Sequence, residues 1–281
     1  MIKKLKLRKN TLPVSKNTKL GIAAATLVLL IAAGFAGWYY LVYEPGQELK
    51  AKKVREQTQL AADVKVVDAF YLKALTGGSI SAFTKLAVEI TNSYSKLYDM
   101  NYTNETFSCD AQKCAFSYQL SKGAIFSVAQ KIFWGKTYNA NFSENTFDFI
   151  EVKSGLGENP LLNAYKRKQE ISPPACSNAL NYIYSYNSAT GSEQALKITA
   201  LPGAAVIATE KKISQKGKAK YYGLNVISWE MSLPKPLHYL DILNIASVLE
   251  RHAFKDAFII QKVDSSKENK ITGVMVCRSG K

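Results

Sequence analysis

The feature that most constrains this 281-residue chain is an apolar run, residues 20–43, that contains no charged side chain. A helix rises about 1.5 Å per residue, so about 20 residues cross a hydrocarbon layer about 30 Å thick. Four aromatic residues lie near the end of the run, as is typical of a membrane surface: Trp38, Tyr39, Tyr40 and Tyr43. The sequence therefore predicts a transmembrane helix at residues 20–43. The alternative, a cleaved signal peptide, would have a shorter apolar stretch.

Basic side chains precede this run. Residues 1–19 contain seven lysines and arginines and no acid, whereas residues 44–56 carry both signs. Segments rich in Lys and Arg remain in the cytoplasm. The pattern predicts a basic cytoplasmic tail that contacts the lipid bilayer, a single-pass location in the bacterial inner membrane, and a periplasmic C-terminal domain. The net charge of +15 therefore does not indicate a nucleic-acid partner. The basic cluster at residues 211–220 is interpreted as a solvated hairpin tip.

Small residues recur four positions apart within the run, as Ala32 with Ala36 and Ala33 with Gly37. This spacing lets two membrane helices approach closely, so the four residues are candidates for membrane packing. A span that is simply rich in alanine is an equally good interpretation.

All four cysteines follow the apolar run: Cys109, Cys114, Cys176 and Cys277. None forms a C-x-x-C pair, and the chain has two histidines, so zinc ligation is not predicted. An even number in an oxidising compartment predicts two disulfides. A hairpin of strands 102–109 and 114–120 would place Cys109 opposite Cys114, and a Cys176–Cys277 bridge would close a loop of about 100 residues. Four cysteines allow three connectivities, so the pairing stays open.

The first half of the remaining chain divides into three segments. Residues 44–78 are predicted to form a helical stalk, in which Leu60, Val64 and Val67 share one side. Residues 79–152 are a first α+β module in the order helix, strand, strand, helix, strand, with its second helix near residues 124–133. Residues 153–175 contain glycine and proline and form a linker.

The second α+β module covers residues 176–281. Its predicted elements are a helix at 176–184, a strand near 204–213, an alternating strand at 221–233, a helix at 238–254, and strands at 257–263 and 271–278. The predicted fold class is therefore α+β. It consists of an N-terminal transmembrane helix and helical stalk, followed by one or two ferredoxin-like (αββαβ) periplasmic modules.

The layout of residues 221–281 suggests a family. An alternating strand (LNVISWEMSL, 224–233) leads into an amphipathic helix (LDILNIASVL, 240–249), and two apolar strands follow (FIIQKV, 258–263, and ITGVMVC, 271–277). This arrangement, with the basic tail, span and stalk, resembles the PilO and GspM proteins, inner-membrane assembly-platform components of type IV pili and type II secretion systems. The resemblance implies a PilN-like or GspL-like partner.

Motifs that carry catalysis are absent from the sequence. It contains no glycine-rich phosphate loop, no H-E-x-x-H and no G-x-S-x-G. His238 and His252 are placed at the ends of a predicted helix, where an imidazole can complement the helix dipole. The sequence therefore predicts no enzymatic activity, no metal site and no cofactor.

These observations predict a non-enzymatic inner-membrane scaffold of a type IV pilus or related secretion machine. It would bind itself or a homologous partner as a homo- or hetero-oligomer. The candidate partner-binding residues are Leu60, Val64 and Val67 in the stalk, and Ile271, Val274 and Val276 in a strand predicted to lie at a sheet edge.

Two alternative functions stay open. An inner-membrane core component of a type IV secretion or conjugation system would share the tail, span and outer domain. One long curved sheet wrapped by helices, in place of two αββαβ units, would favour it. A membrane-anchored enzyme of the cell envelope is the other alternative, and a deep pocket with clustered acids or histidines would favour that one.

Overall fold

A computed structural model describes residues 16–98, 100, 102–121, 128–157, 159–190, 194–200 and 204–278, with side chains from Ala25 onward in the first helix. The chain divides into two compact units, residues 1–61 and residues 62–281. The first unit contains α1 (Lys16–Trp38), a π-helical turn (Tyr39–Tyr43) and the beginning of α2 (Glu44–Ala74).

The structure contradicts the predicted membrane span. Among the residues that it describes, no helix is long and apolar enough to cross a bilayer. The transmembrane helix predicted at residues 20–43 is therefore not supported. The single-pass topology and the inner-membrane location that were derived from it are not supported either.

The second unit is built of helices and strands. The helices that follow α2 are α3 (Ile80–Tyr98), α4 (Pro160–Lys166), α5 (Cys176–Thr190), α6 (Ala204–Gln215) and α7 (Asp241–Glu250). The strands are β1 (Tyr102–Asp110), β2 (Lys113–Leu120), β3 (Gln130–Phe133), β4 (Lys136–Asn139), β5 (Asn141–Phe142), β6 (Thr146–Lys153), β7 (Lys197–Ala200), β8 (Leu224–Ser232), β9 (Phe258–Asp264) and β10 (Lys270–Arg278).

Eight of these strands form one sheet in the order β5-β6-β2-β1-β9-β10-β8-β7, and every neighbouring pair is antiparallel. The α+β class is correct, but the division into two ferredoxin-like modules is wrong. The strand β1 from the first predicted module pairs with β9 from the second, between Ser108↔Asp264 and Asp110↔Lys262. The two predicted modules therefore share a single sheet.

The β1–β9 junction is reinforced by side chains. The Ser108 hydroxyl donates to Asp264 over 3.2 Å, and the backbone N–H of Phe107 donates to the Ser265 hydroxyl over 2.8 Å. Burial opposes ionisation of Asp264. The ion pair with Lys262 and the N–H groups of the following turn outweigh that effect, and they hold the pKa of this carboxyl below its usual range. A charged acceptor therefore organises this corner of the sheet.

The centre of the sheet is buried on both faces. On one face, Trp229 of β8 and Met275 of β10 join the main core formed with α3, α5 and α7. On the other face, Val274 and Val276 of β10 are also buried but lie outside that core. Because successive side chains of a strand point to opposite faces, a strand covered on both sides appears as a continuous apolar run.

Three predicted segments differ from the structure. The linker predicted at residues 153–175 contains the helix α4. Residues 204–213, predicted as a strand, belong to α6, because Ala, Glu and Lys favour a helix and the segment lacks a two-residue alternation. The helix predicted near 124–133 lies partly outside the described residues, and its described end is β3. A tight turn joins β3 to β4, in which Trp134 and Gly135 both have positive φ, as a two-residue hairpin loop requires.

The predicted disulfides are confirmed. Cys109 and Cys114 bridge β1 and β2, where they are directly opposite each other in the register. Cys176, the first residue of α5, is bonded to Cys277 in β10, with 101 residues of sequence separation. The second bridge therefore fixes a covering helix to the middle of the sheet.

A close approach in the sheet explains Gly273 and yields a prediction. A Cβ atom at this position would lie 2.2 Å from the carbonyl oxygen of Ile259 and 2.8 Å from the ring of Trp229. We expect Gly273→Ala to lower the free energy of unfolding by about 1–3 kcal/mol, as overpacked cores do. Urea denaturation of the full chain measures this change. The control is Gly37→Ala, because no atom lies within 4 Å of its Cβ position; an equal loss in both variants would contradict the prediction.

Candidate functional site

The second unit contains a pocket of about 320 Å³, which we call the basic pocket. Its walls come from α2, α4, α6 and the segment that leads from α6 into β8. The apolar part of the wall consists of Val64, Val67, Leu72, Ile213 and Ala219. The remaining wall is formed by tyrosines, lysines and two acids.

A buried carboxylate organises the wall of the basic pocket. Glu210 of α6 is fully buried and accepts hydrogen bonds from the backbone N–H groups of Tyr222 (2.7 Å) and Gly223 (3.0 Å). The Tyr71 hydroxyl donates to the same carboxylate over 2.9 Å. Burial, and then the neighbouring Glu210, raise the pKa of Tyr71 well above its usual range, so Tyr71 remains a donor. Glu210 therefore fixes the chain where it enters β8.

A second acid is held at the pocket by a tyrosine. The Tyr165 hydroxyl donates to Asp68 over 2.6 Å. Burial, followed by this hydrogen bond, raises the pKa of Tyr165. The ring of Tyr165 lies between two others, with centroids 5.3 Å from Tyr71 and 5.1 Å from Tyr222. Contacts of this kind between aromatic rings stabilise a fixed wall.

The third tyrosine has no such partner. Tyr222 is 6% exposed and lines the basic pocket, yet its hydroxyl is buried without a hydrogen-bond partner among the described residues. Burial, and then the charges of Glu210 and Asp68, raise the pKa of Tyr222, so the hydroxyl remains neutral. A buried polar group without a partner costs free energy. The wall of the pocket therefore contains one hydroxyl whose hydrogen-bonding capacity the described residues do not satisfy.

Lysines complete the basic pocket. Four of its lining residues are lysines, Lys166, Lys168, Lys218 and Lys220, against the two acids Asp68 and Glu210. The formal balance of the lining is therefore 4 − 2 = +2. The Lys220 ammonium lies 5.3 Å from the centroid of the Tyr222 ring and donates to the carbonyl oxygen of Lys168 over 3.3 Å. Residues 211–220, predicted as a hairpin tip, therefore do not form one. Their first half belongs to α6, and Lys218 and Lys220 line the pocket.

The predicted partner-binding residues belong to two elements, α2 and β10. Val64 and Val67 line the basic pocket, and Val67 is 4% exposed, whereas Leu60 lies on α2 within the first unit. The other three residues lie in β10, which has a strand on each side, and are buried: Ile271, Val274 and Val276. Ala32, Ala33, Ala36 and Gly37 all lie on α1.

Sequence analysis missed Glu210, Tyr165 and Tyr222. Glu210 lies in a segment that was predicted to be a strand. In the helix α6 it is three residues before the buried Ile213, so both side chains lie on one face. The pairing of Tyr165 with Asp68 joins segments 97 residues apart, and no local pattern signals it. One feature of the sequence could have indicated the pocket: the apolar part of α6 is followed directly by a segment rich in lysine.

The two histidines, His238 and His252, do not line the basic pocket. His238 precedes α7, where its backbone N–H donates to Asp241 over 2.6 Å, and His252 follows the end of that helix. His252 is buried against Tyr182, whose hydroxyl lies 2.6 Å from Nδ1, and burial lowers the pKa of the imidazole. Within the described ranges, no three His, Cys, Asp or Glu side chains are grouped to hold a metal ion.

Comparisons of the chain with protein-family models, with curated proteins and with solved structures find no match. A functional interpretation therefore rests on the residues and their geometry.

Proposed function

We propose that this chain is a non-enzymatic scaffold subunit of a type IV pilus or related secretion machine. It binds a second copy of itself or a homologous PilN-like or GspL-like partner. The layout of residues 221–281 supports this proposal, since the strand, helix and two strands on which the resemblance depends are present as β8, α7, β9 and β10. The two disulfides support a location outside the cytoplasm, where thiols are oxidised.

The observation that carries the proposal is an incompletely covered sheet edge, which we call the β6 edge (residues 149–152). The next backbone N–H, that of Lys153, already donates to the Tyr138 hydroxyl over 3.3 Å. The edge strand β5 has two residues and pairs with Asp148 and Phe147 of β6. Among the described strands, none pairs with the outer side of β6 beyond these two positions. Ile150 on this edge is 52% exposed, and Phe142 of β5 is 55% exposed. Open edges with apolar side chains can pair with a strand of another chain.

The acids of the basic pocket support a binding role over a catalytic one. A general base must be able to reach a substrate proton. The Glu210 carboxylate already accepts three hydrogen bonds, and Asp68 accepts one from Tyr165. The fully buried Glu210 is thus committed to holding the wall, which does not favour the membrane-anchored enzyme.

One observation favours a second candidate, a component of a type IV secretion or conjugation apparatus. The eight-stranded sheet with helices against it matches the single large sheet expected for that class better than two αββαβ units do. Fold alone does not determine function. Genes encoding a secretin, an assembly ATPase or prepilins beside this one would support the pilus scaffold, and genes of a conjugation system would support the second candidate.

The β6 edge can be tested by substitution. We expect Ile150→Lys to weaken association between two differently tagged full-length copies at least about tenfold, because a buried interface position would receive a charge. Sedimentation equilibrium, with copurification of the tagged copies, measures the effect. Circular dichroism and urea unfolding establish that the variant remains folded.

The matched control is Tyr184→Lys, since Tyr184 is 61% exposed on α5 and lies outside the edge. This variant should associate as the unaltered chain does. Equal association of Ile150→Lys and the unaltered chain, or no association of the unaltered chain with itself or with a coexpressed homologous partner, would contradict the proposal. A charge at Val67 of the predicted stalk would disrupt the fold, because this side chain is buried.

A further inference from the structure

We infer that the basic pocket binds a small amphiphilic anion, with its carboxylate or phosphate head against the lysines and the Tyr222 hydroxyl and its short apolar body against the aliphatic wall. This site is separate from the β6 edge in its residues, so either proposal can fail without the other.

The charge of the pocket selects an anion. The carboxylates of Glu210 and Asp68 are both engaged by hydrogen bonds from the protein, whereas four lysines line the same cavity. All four lysines are exposed at the surface, where a charged ligand head can reach their ammonium groups. Lysine ammonium groups pair with carboxylate and phosphate alike, so the two heads are alternatives within one ligand class.

The Tyr222 hydroxyl supplies an independent indication of a ligand. It is a buried hydroxyl in the pocket wall, and no described residue offers it an acceptor or donor. Its neighbours Tyr71 and Tyr165 both have carboxylate acceptors. An oxygen of an anionic head would supply the acceptor that Tyr222 lacks. Among the three tyrosines of the pocket wall, Tyr222 is thus the one whose hydroxyl has no partner among the described residues.

The apolar wall and the volume limit the size of the ligand. Val64, Val67, Leu72 and Ile213 form a wall that a hydrated inorganic ion cannot use. The volume of about 320 Å³ is at the lower end of cavities that hold small molecules, about 300–1,000 Å³. A chain of about eight carbon atoms carrying one anionic head is therefore a suitable probe.

Isothermal titration calorimetry of the full-length chain tests the inference with four probes. Octanoate and octyl phosphate carry the two heads, octanol lacks the charge, and inorganic phosphate lacks the apolar body. We expect at least one of the first two to bind at least about tenfold more tightly than octanol and than inorganic phosphate, and more weakly as salt rises. The tighter of the two identifies the head. Octanol or inorganic phosphate binding as tightly as both amphiphiles would overturn the inference.

Variants locate the binding. We expect Lys166→Gln combined with Lys218→Gln to weaken binding of the preferred amphiphile about five- to tenfold, and Tyr222→Phe to weaken it about two- to tenfold through the lost hydrogen bond. The matched control is Lys211→Gln combined with Lys216→Gln, which removes two exposed lysines that do not line the pocket. Equal weakening by both double variants, or unchanged binding by Tyr222→Phe in a chain that remains folded, would overturn the site.

Discussion

Replacing Cys176 and Cys277 by alanine should lower the free energy of unfolding by about 4–5 kcal/mol. The bridge joins residues 101 apart in sequence, so it restricts the unfolded chain over more than a third of its length. In the chain-entropy model the stabilisation grows with the logarithm of the loop that is closed. Alanine is the suitable replacement because Cys277 is fully buried, and a serine hydroxyl there would itself cost free energy. Urea denaturation monitored by circular dichroism measures the loss.

The second disulfide provides the control. Cys109 and Cys114 are five residues apart and are fully buried, as Cys277 is, so their replacement by alanine removes a bridge that closes only a short loop. The same model predicts a loss of about 2 kcal/mol. Equal losses for the two double variants, or a greater loss for the short loop, would show that loop closure does not determine the stability of this fold.

Glu210→Ala should lower the free energy of unfolding by about 3–5 kcal/mol, because each buried group that loses a charged partner costs about 1–3 kcal/mol. The substitution removes the acceptor for three donors at once: the N–H groups of Tyr222 and Gly223, and the Tyr71 hydroxyl. The Tyr71 hydroxyl retains a contact of 3.3 Å with the carbonyl oxygen of Leu224, and the two N–H groups lose their acceptor. The free energy of unfolding in urea measures the loss.

Two further variants separate the causes of this loss. Glu210→Gln keeps the shape and one acceptor oxygen but removes the charge, so we expect a loss of about 1–3 kcal/mol, smaller than for alanine. Lys211→Ala changes the exposed neighbour on α6, and its effect should remain within about 0.5 kcal/mol. A Glu210→Ala variant as stable as the unaltered chain would show that water replaces the carboxylate.

Local patterns predicted the C-terminal elements well. The alternation around Trp229 marks β8, and the apolar stripe that contains Ile242 and Leu249 marks α7. These signals depend only on neighbours a few residues apart, and the four-residue connection between Cys109 and Cys114 likewise predicted a hairpin and its disulfide.

Pairing between distant segments could not be predicted in the same way. The apolar run around Val274 was interpreted as a sheet edge, although burial on both faces is equally consistent with a central strand. The pairing of β1 with β9 brings together residues about 150 positions apart, and neither strand carries a local signal of its partner. For the same reason the predicted modules were separated where the structure has one sheet.

The candidate site escaped prediction because its contributors are scattered. Asp68, Tyr165, Glu210 and Tyr222 come from α2, α4, α6 and the segment before β8. The lysines after α6 form a recognisable cluster in the sequence, but nothing in the sequence shows which other residues share a pocket with them. A lysine-rich segment is usually solvated, and only the tertiary structure places an unpaired tyrosine hydroxyl beside it.

The narrow seam between β1 and β9 makes the two halves of the sheet dependent on each other. The strands β5, β6, β2 and β1 come from one continuous stretch of chain, and β9, β10, β8 and β7 from the next. If the chain were divided between the two halves, each half would expose an edge strand with unpaired N–H and C=O groups, and such an edge promotes aggregation. The two groups of four strands thus protect each other through three paired positions and through the hydrogen bonds of Asp264 and Ser265.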